Sequence, residues 1–368
     1  MIKPSVLFMG NPLRNAIGID CCENNNIPYM SIDKTDVGII KPKDIIQTPP
    51  EHISASKIVN FNDLNKKTEF IPFESYFSVN YLIDLFVSKK FIPTLIINAN
   101  DVKEDLELEV KLMSTYKTSS RFCRESLDFF TFKWSQKNIY DELDIPRIPD
   151  SGENGYCVKA GRRRVLKKHN IDALSDNAEI FCPKFRFEHS NYLPKSKYRY
   201  EFVQKWMDIE YCIGVFIFID SKGKWDIQLI TKDQTTNGGW RTYSVCPYKL
   251  TSSEDSQIST IISKLSKRLV VRSRLIYFEL IKCFDDDIIY PQDFNCRTQG
   301  SSYQWGRYYN FFEDLITDKR KEVIYDNLPR FYMNNTNWND NAELIDKINL
   351  KQIKPVNNPW FITKTEFM

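Results

Sequence analysis

Tyr277-Phe278-Glu279 and Ile289-Tyr290-Pro291-Gln292-Asp293-Phe294-Asn295-Cys296-Arg297 are the two segments from which the fold of this chain can be predicted. The first ends in an acid, and the second carries an acid, an amide and a guanidinium at alternate positions. Because residues two apart in a strand project from the same face, Asp293, Asn295 and Arg297 should line one surface. Carboxylate and amide oxygens are ligands that Mg2+ takes alongside nucleotide phosphates, and an arginine can fork onto a phosphoryl oxygen. The pattern therefore indicates a metal and phosphate surface.

The acidic run Asp285-Asp286-Asp287 lies between the two segments and is typical of a turn. A turn there folds the segments against each other as a hairpin and brings Glu279 beside Asp293. On this spacing alone a second interpretation is equally open, in which the hairpin is only a polar-faced edge of a sheet. Acids at strand ends and turns are common.

The hairpin pattern resembles the last two strands of the ATP-grasp fold, whose magnesium motif is an acid followed by Glu-x-Asn-x-Arg. Three earlier segments match the same family in the same order. Lys133 precedes a helical stretch that ends in Leu143-Asp144-Ile145-Pro146, with Asp144 in place of the usual glycine. Gly155-Tyr156-Cys157-Val158-Lys159 is similar to the strand that carries a phosphate-binding lysine. The third match, Glu201-Phe202-Val203-Gln204-Lys205-Trp206-Met207-Asp208-Ile209-Glu210-Tyr211, resembles the hinge of the D-alanine ligase branch.

This resemblance implies a role for each matched residue. The metal ligands are Glu279, Asp293 and Asn295. The residues that face the phosphates are Lys133, Lys159 and Lys232, and Arg297 contacts the acyl phosphate, so that Arg297, Lys159 and Lys232 form the catalytic set. The nucleoside is bound by the hinge residues Gln204, Lys205, Trp206 and Met207 and by Glu210 at the ribose. The acceptor pocket is expected around Arg274, Ser301 and Ser302.

The loop after Lys159 departs from the family, which has a flap rich in glycine and serine there. This chain reads Gly161-Arg162-Arg163-Arg164-Val165-Leu166-Lys167-Lys168-His169. Two interpretations of the arginines stay open: they contact phosphate or an anionic substrate or partner, or they form a solvated basic turn.

The expected fold class is α/β, with a Rossmann-like preliminary domain followed by an ATP-grasp fold of two α+β subdomains that clasp the nucleotide. The expected domains are 1–118 (preliminary), 119–200 (small subdomain and lid), 201–333 (C-terminal subdomain with the magnesium site) and 334–368 (a tail of unknown role). The first domain opens with a strand, helix, strand pattern. It lacks G-x-G-x-x-G, so no dinucleotide site is predicted.

Composition agrees with this prediction. The chain has 368 residues, of which 42% are hydrophobic and 27% charged, and its net charge is +3. Such a balance gives no global field that would attract nucleic acid or an anionic membrane. Nine cysteines without C-x-x-C spacing suit reduced thiols, and only three histidines are present, so neither a zinc site nor a histidine triad is indicated. We expect a cytoplasmic protein that spans no membrane.

The resemblance implies an ATP-dependent ligase that joins a carboxylate, an amino acid or peptide, to an amine through an acyl phosphate. Its cofactors are ATP and Mg2+, with Mn2+ as a substitute, and its partners are small-molecule substrates; a homodimer stays open. Two other classes remain: an ATP-grasp carboxylase or phosphotransferase, and a nucleotide-binding regulator that has lost turnover.

Overall fold

The structure is a computed structural model. It describes residues 4–10, 12–34, 64, 66–100, 103–131, 133–149, 156–159, 178–181, 202–205, 207, 209–235, 241–284, 286–297, 311–318, 330–334 and 360–364.

The first part of the chain forms a parallel sheet of four strands. Its strands are β1 (Val6–Met9), β2 (Tyr29–Lys34), β3 (Thr68–Ile71) and β4 (Leu95–Asn98), in the order β3-β2-β1-β4. The helices of this part are α1 (Pro12–Asn24), α2 (Phe73–Tyr76), α3 (Val79–Ser88) and α4 (Lys103–Tyr116). β1 and β4 are buried along their whole length, which is typical of strands in a parallel sheet covered on both faces. The predicted strand, helix, strand opening is confirmed.

One helix of this part differs from the sequence pattern. The apolar spacing from Tyr76 to Lys89 predicts a single helix, but the structure divides the segment into α2 and α3. Ser78 lies between them with an extended backbone, and its side chain accepts a hydrogen bond from the Tyr81 amide. A serine in that position starts a new helix because it satisfies an amide left without a helical partner.

The second part of the chain is built on a sheet of seven strands. Its strands are β9 (Ile209–Ile219), β10 (Trp225–Thr235), β11 (Arg241–Cys246), β13 (Arg274–Cys283), β14 (Ile289–Asn295), β15 (Arg330–Asn334) and β16 (Trp360–Lys364). Their order is β14-β13-β9-β10-β11-β15-β16, and all of the pairings are antiparallel. β16 lies in the C-terminal tail, for which the sequence predicted no role. It pairs with β15 as the last strand of the sheet.

Among the described residues, two smaller sheets contain the remaining strands. β6 (Tyr156–Lys159), β7 (Ala178–Phe181) and β8 (Phe202–Lys205) form an antiparallel sheet with β6 in the centre. β5 (Arg121–Phe122) pairs with β12 (Val271–Arg272). The remaining helices are α5 (Arg124–Thr131), α6 (Lys133–Glu142), α7 (Ser252–Arg268) and α8 (Phe311–Thr317).

The two faces of the large sheet pack against different partners. Ile213 and Phe278 belong to one hydrophobic cluster with Ile258 of α7. Phe216 belongs to a second cluster with Phe312 of α8 and with residues of α1. Because successive side chains of a strand point to opposite faces, this division tells which face each residue of β9, β10 and β13 occupies.

The segment Ser252-Ser253-Glu254-Asp255, with hydroxyl and acidic residues, predicts a helix N-terminus, and α7 begins there. Thr251 accepts from the Glu254 amide and the Glu254 carboxylate accepts from the Thr251 amide, which is a complete capping box. In the part of the chain that the structure describes, no helix is long and apolar enough to cross a membrane.

Candidate active site

The two strands of the predicted hairpin are β13 and β14, which pair antiparallel. Glu279 lies directly opposite Asp293, and Tyr277 lies directly opposite Asn295. Directly opposed residues of such a pair have Cβ atoms about 4.5–5.5 Å apart. The predicted hairpin is confirmed, and the two acids and the amide share one face of the sheet.

A register shift interrupts the hairpin immediately beside the acid pair. Glu279 pairs with Asp293 but Leu280 pairs with Pro291, so Gln292 is an extra residue on β14. Proline has no N–H for the ladder, and it is tolerated at bulges and on edge strands such as β14. A bulge bends the strand and turns neighbouring side chains. The bulge at Gln292 therefore contributes to the direction in which Asp293 projects.

Asn295 is tied to Asp293 by a side-chain hydrogen bond, in which Nδ2 donates to Oδ2 over 2.9 Å. Asn295 is buried, whereas Glu279 and Asp293 are half-buried. Within the described residues no group of three or more His, Cys, Asp or Glu side chains that could hold a metal ion is found. The third member of the set described here is an amide. Two carboxylates and an amide fit Mg2+, which keeps several positions for phosphate oxygens and water. The donor set suits a metal that arrives with a nucleotide.

The strand register places one residue of β9 and one of β10 in line with the acid pair. Glu279 lies opposite Gly214 of β9, and Gly214 lies opposite Thr231 of β10. A Cβ atom on Gly214 would lie 2.4 Å from the Thr231 Oγ1 and 2.6 Å from the Tyr277 hydroxyl oxygen. Only glycine fits there. Sequence reasoning missed this position, although a glycine inside an otherwise apolar strand is a signal of close approach.

Lys232 lies on the opposite face of the sheet from the acid pair. It pairs with Ile213, whereas Glu279 pairs with Gly214, so the two side chains point to different faces. The Lys232 Nζ lies 3.7 Å from the centre of the Tyr211 ring. The structure therefore does not bring Lys232 together with the metal ligands, and we do not retain it as a phosphate contact.

The Tyr211 ring beneath Lys232 is held by α7. Its hydroxyl donates to the Glu254 Oε1 over 2.6 Å, and the Tyr248 hydroxyl donates to the same carboxylate. Burial, followed by the hydrogen bond to Glu254, raises the pKa of Tyr211 well above its ordinary value. The phenol therefore stays protonated and available as a donor.

Two of the predicted nucleoside residues lie at the start of β9, Met207 just before it and Glu210 within it. Met207 is buried in a cluster with Cys212 and with Ile281, which is two residues along β13 from Glu279. Glu210 is half-buried at a second register shift, where β13 changes its partner on β9 from Tyr211 to Ile209. Shifts of this kind turn a side chain out of the regular alternation.

The other predicted contacts are described only as backbone or lie outside the described residues. Lys133 is the first residue of α6, Lys159 is the last residue of β6, and Gln204 and Lys205 end β8. Lys205 pairs with Tyr156 and Lys159 with Phe202, so the lysine strand and the hinge strand are neighbours. Trp206, Ser301 and Ser302 and the loop 161–169 lie outside the described residues. The roles of these residues remain predictions.

Arg274, which was predicted to contact the acceptor, is instead bonded to other groups of the protein. It is 3% exposed, its guanidinium forms an ion pair with the buried Glu109 of α4, and its Nε donates to the Cys296 carbonyl over 3.0 Å. A guanidinium held in this way is not presented to a substrate. Arg297 is half-buried and lies with Asn98 at a narrow cleft between the end of β4 and the start of β13.

Neither a scan of protein-family models nor a search of curated proteins gives a match. Solved structures do resemble this chain. The L-amino acid ligase from Bacillus licheniformis has a TM-score of 0.64 at 9% identity, over 99% of this chain and 94% of that one. The ADP complex of N5-carboxyaminoimidazole synthetase from Staphylococcus aureus has a TM-score of 0.61 at 9% identity, over 99% and 94% of the two chains.

These structures belong to the ATP-grasp superfamily. The chain has the ATP-grasp fold. A biotin carboxylase in complex with an ATP analogue, from Campylobacter jejuni, is similar as well, with a TM-score of 0.61 at 12% identity over 90% of this chain and 75% of that one. The fold class predicted from the sequence is confirmed, and within it the β13–β14 hairpin brings Glu279, Asp293 and Asn295 together.

Proposed function

We propose that this chain is an ATP-dependent ligase that joins a carboxylate to an amine through an acyl phosphate. The observation that carries the proposal is the pairing of Glu279 with Asp293 on the ATP-grasp hairpin, with the Asn295 amide hydrogen-bonded to Asp293. These three residues would hold Mg2+, which offsets phosphate charge when bound.

The proposed reaction needs no nucleophile from the protein. A carboxylate oxygen of the substrate attacks the terminal phosphorus of ATP, and ADP leaves. The amine nitrogen then attacks the acyl carbon, inorganic phosphate leaves, and the nitrogen loses a proton. The demand on the protein is therefore to bind the substrates in line and to stabilise charge on the transferred group.

Each candidate residue supplies part of that demand. Lys133 and Lys159 are proposed to bind phosphate oxygens, and Arg297 is proposed to fork onto the phosphoryl group during transfer. The hinge of Gln204, Lys205, Trp206 and Met207 is proposed to bind the adenine, with Glu210 at the ribose hydroxyls. An amino acid or short peptide is the proposed carboxylate, in keeping with the likeness to an L-amino acid ligase.

The test is phosphate release from ATP in the presence of pooled amino acids, followed by deconvolution of active pools. Stimulation by a pair of amino acids supports the ligase. Stimulation by a single acid without an amine indicates an acyl phosphate as the final product, and stimulation by bicarbonate indicates a carboxylase. ATP binding without any release indicates a regulator, and contradicts the proposal.

We also propose a cytoplasmic location and small-molecule partners. The seven cysteines whose side chains the structure describes form no disulfide, which suits a reducing compartment. A homodimer stays a prediction, and light scattering on the purified chain would decide it.

A further inference from the structure

Two buried side chains hold the backbone on either side of Asn295. Gln136 of α6 donates from Nε2 to the Phe294 carbonyl over 3.2 Å. Arg274 donates from Nε to the Cys296 carbonyl over 3.0 Å. Both donors are 3% exposed. The peptide group directly before the proposed metal ligand and the one that joins Cys296 to Arg297 are therefore held from outside β14.

Arg274 is in turn held by α4, in the first part of the chain. Its two terminal nitrogens pair with the two carboxylate oxygens of Glu109, which is fully buried on α4. The Asn98 side chain at the end of β4 also donates to Glu109, over 3.0 Å. Burial alone would lower the pKa of Arg274, but the Glu109 carboxylate raises it above the ordinary value. The guanidinium stays charged and the pair stays intact.

The stacking of Arg274 completes its environment. The guanidinium carbon lies 5.1 Å from the centre of the Phe122 ring on β5, the strand that pairs with β12 just before β13. A planar guanidinium can use its faces and its edge at the same time, which a lysine cannot do. One side chain therefore joins α4, β5 and the end of β14.

We propose that Glu109, Arg274 and Gln136 are positioning residues that hold Asn295 in place for the nucleotide-bound metal and Arg297 in place for the phosphoryl group. The proposal rests on the proposed function, because it assigns these residues to the same metal site. Partners outside the ligand shell orient ligands and tune affinity, and their loss typically weakens metal binding about 10- to 100-fold. The Cys296 carbonyl lies between the two residues to be placed, so its hydrogen bond acts on both.

A purely structural role would give a different result, and the chain offers a matched control. Lys34 and Asp105 form a second ion pair with exposed fractions of 1% and 0%, over 2.8 Å. Asp105 lies one turn before Glu109 on α4, but its pair contacts β2 rather than β14. Glu109→Gln and Asp105→Asn therefore remove the same charge from the same helix, and only the first disturbs the metal strand.

The experiment measures free Mn2+ by electron paramagnetic resonance, with ADP present and absent, on the full chain. Wild type is compared with Glu109→Gln, Asp105→Asn and Gln136→Met. The last variant removes only the donor to the Phe294 carbonyl and leaves no buried charge, so it keeps the test open if Glu109→Gln does not fold. Melting temperature is recorded for each protein without metal.

We expect Glu109→Gln and Gln136→Met to weaken ADP-dependent Mn2+ binding by about 10-fold or more. The Asp105→Asn variant should have a lower melting temperature than wild type but the same affinity for Mn2+. The positioning role alone is overturned if Gln136→Met, and Glu109→Gln where it folds, bind Mn2+ as tightly as wild type. It is also overturned if Asp105→Asn weakens Mn2+ binding as much as Glu109→Gln does. Wild type that binds Mn2+ no better with ADP overturns the proposed function and this inference together.

Discussion

Glu279 and Asp293 lie directly opposite each other on adjacent antiparallel strands, one residue from a register shift at Leu280 and Pro291. Two like charges at this distance repel, and opposed like charges destabilise a sheet. A folded protein keeps such a pair most readily where a cation offsets it. The acid pair is the feature on which the proposed activity depends.

Replacement of Asp293 by Asn should raise the Mg2+ concentration needed for half-maximal phosphate release by more than about 10-fold, since even partners outside the ligand shell cost 10- to 100-fold. Excess Mg2+ should restore part of the rate. A magnesium titration with circular dichroism as the folding control checks this. Wild-type magnesium dependence in the variant would remove Asp293 from the metal site.

Replacement of Arg297 by Ala should lower the turnover rate about 10²- to 10³-fold. This corresponds to a loss of about 2.7–4 kcal/mol of transition-state stabilisation, by analogy with the removal of one oxyanion donor. Magnesium should not restore it, because the guanidinium is proposed to contact the phosphoryl group and not the metal. The same titration serves. Recovery of this variant at high Mg2+ would assign Arg297 to metal binding instead.

Glu210→Ala should raise the Michaelis constant for ATP and leave the catalytic constant nearly unchanged. A ribose contact is made equally in the ground and transition states, so its loss removes uniform binding. Steady-state kinetics with varied ATP give both constants. Collapse of turnover at an unchanged Michaelis constant would show that Glu210 acts in the chemical step.

The sequence could predict the hairpin and its acid pair because both depend on local spacing, with residues two apart on one face and a polar turn between the strands. It could not place Lys232. A shift of one residue in the register of a strand turns each side chain to the opposite face of the sheet. The register that pairs Lys232 with Ile213 is set by tertiary packing, which local spacing does not reveal.

Arg274 illustrates a different limit. Its partner Glu109 is 165 residues away along the chain, and nothing near either residue indicates the pairing. A buried arginine needs a carboxylate, but the sequence does not say which one. The sequence therefore predicted a substrate contact for Arg274, whereas the structure pairs it with Glu109.

Gly214→Ala should lower the free energy of unfolding by about 1–3 kcal/mol, the usual cost of overpacking. The added Cβ would lie 2.4 Å from the Thr231 Oγ1 and 2.6 Å from the Tyr277 hydroxyl oxygen. Urea denaturation measures the loss. The double variant with Thr231→Ala should lose less than the sum of the single changes, and strict additivity would argue against the contact.

Asp33→Asn should make the protein more stable at neutral pH. Burial, only partly offset by Lys34, raises the pKa of Asp33 from 3.8 to about 6. A raised acid pKa means that the folded state holds the proton more tightly, so stability falls as pH rises from about 4 to 6. The asparagine side chain that replaces the acid stays neutral at all pH values.

The melting temperature of the Asp33→Asn variant should therefore exceed that of wild type at pH 7 and converge toward it at pH 4. The amide oxygen of the new side chain can keep the hydrogen bond that Asp33 accepts from the Lys34 amide over 2.8 Å, so the comparison isolates the charge. A difference that does not change with pH would contradict a raised pKa at this residue.

Glu279 and Asp293 are proposed to bind magnesium together with a nucleotide. The most direct measurement is the melting temperature of wild type and of Glu279→Gln/Asp293→Asn, each without ligand, with ATP and with ATP plus Mg2+. A ligand at a hundredfold excess over its dissociation constant stabilises the folded state by about 2.7 kcal/mol. We predict that Mg2+ adds to the ATP shift in wild type and adds nothing in the double variant. An equal magnesium increment in both proteins would contradict the claim.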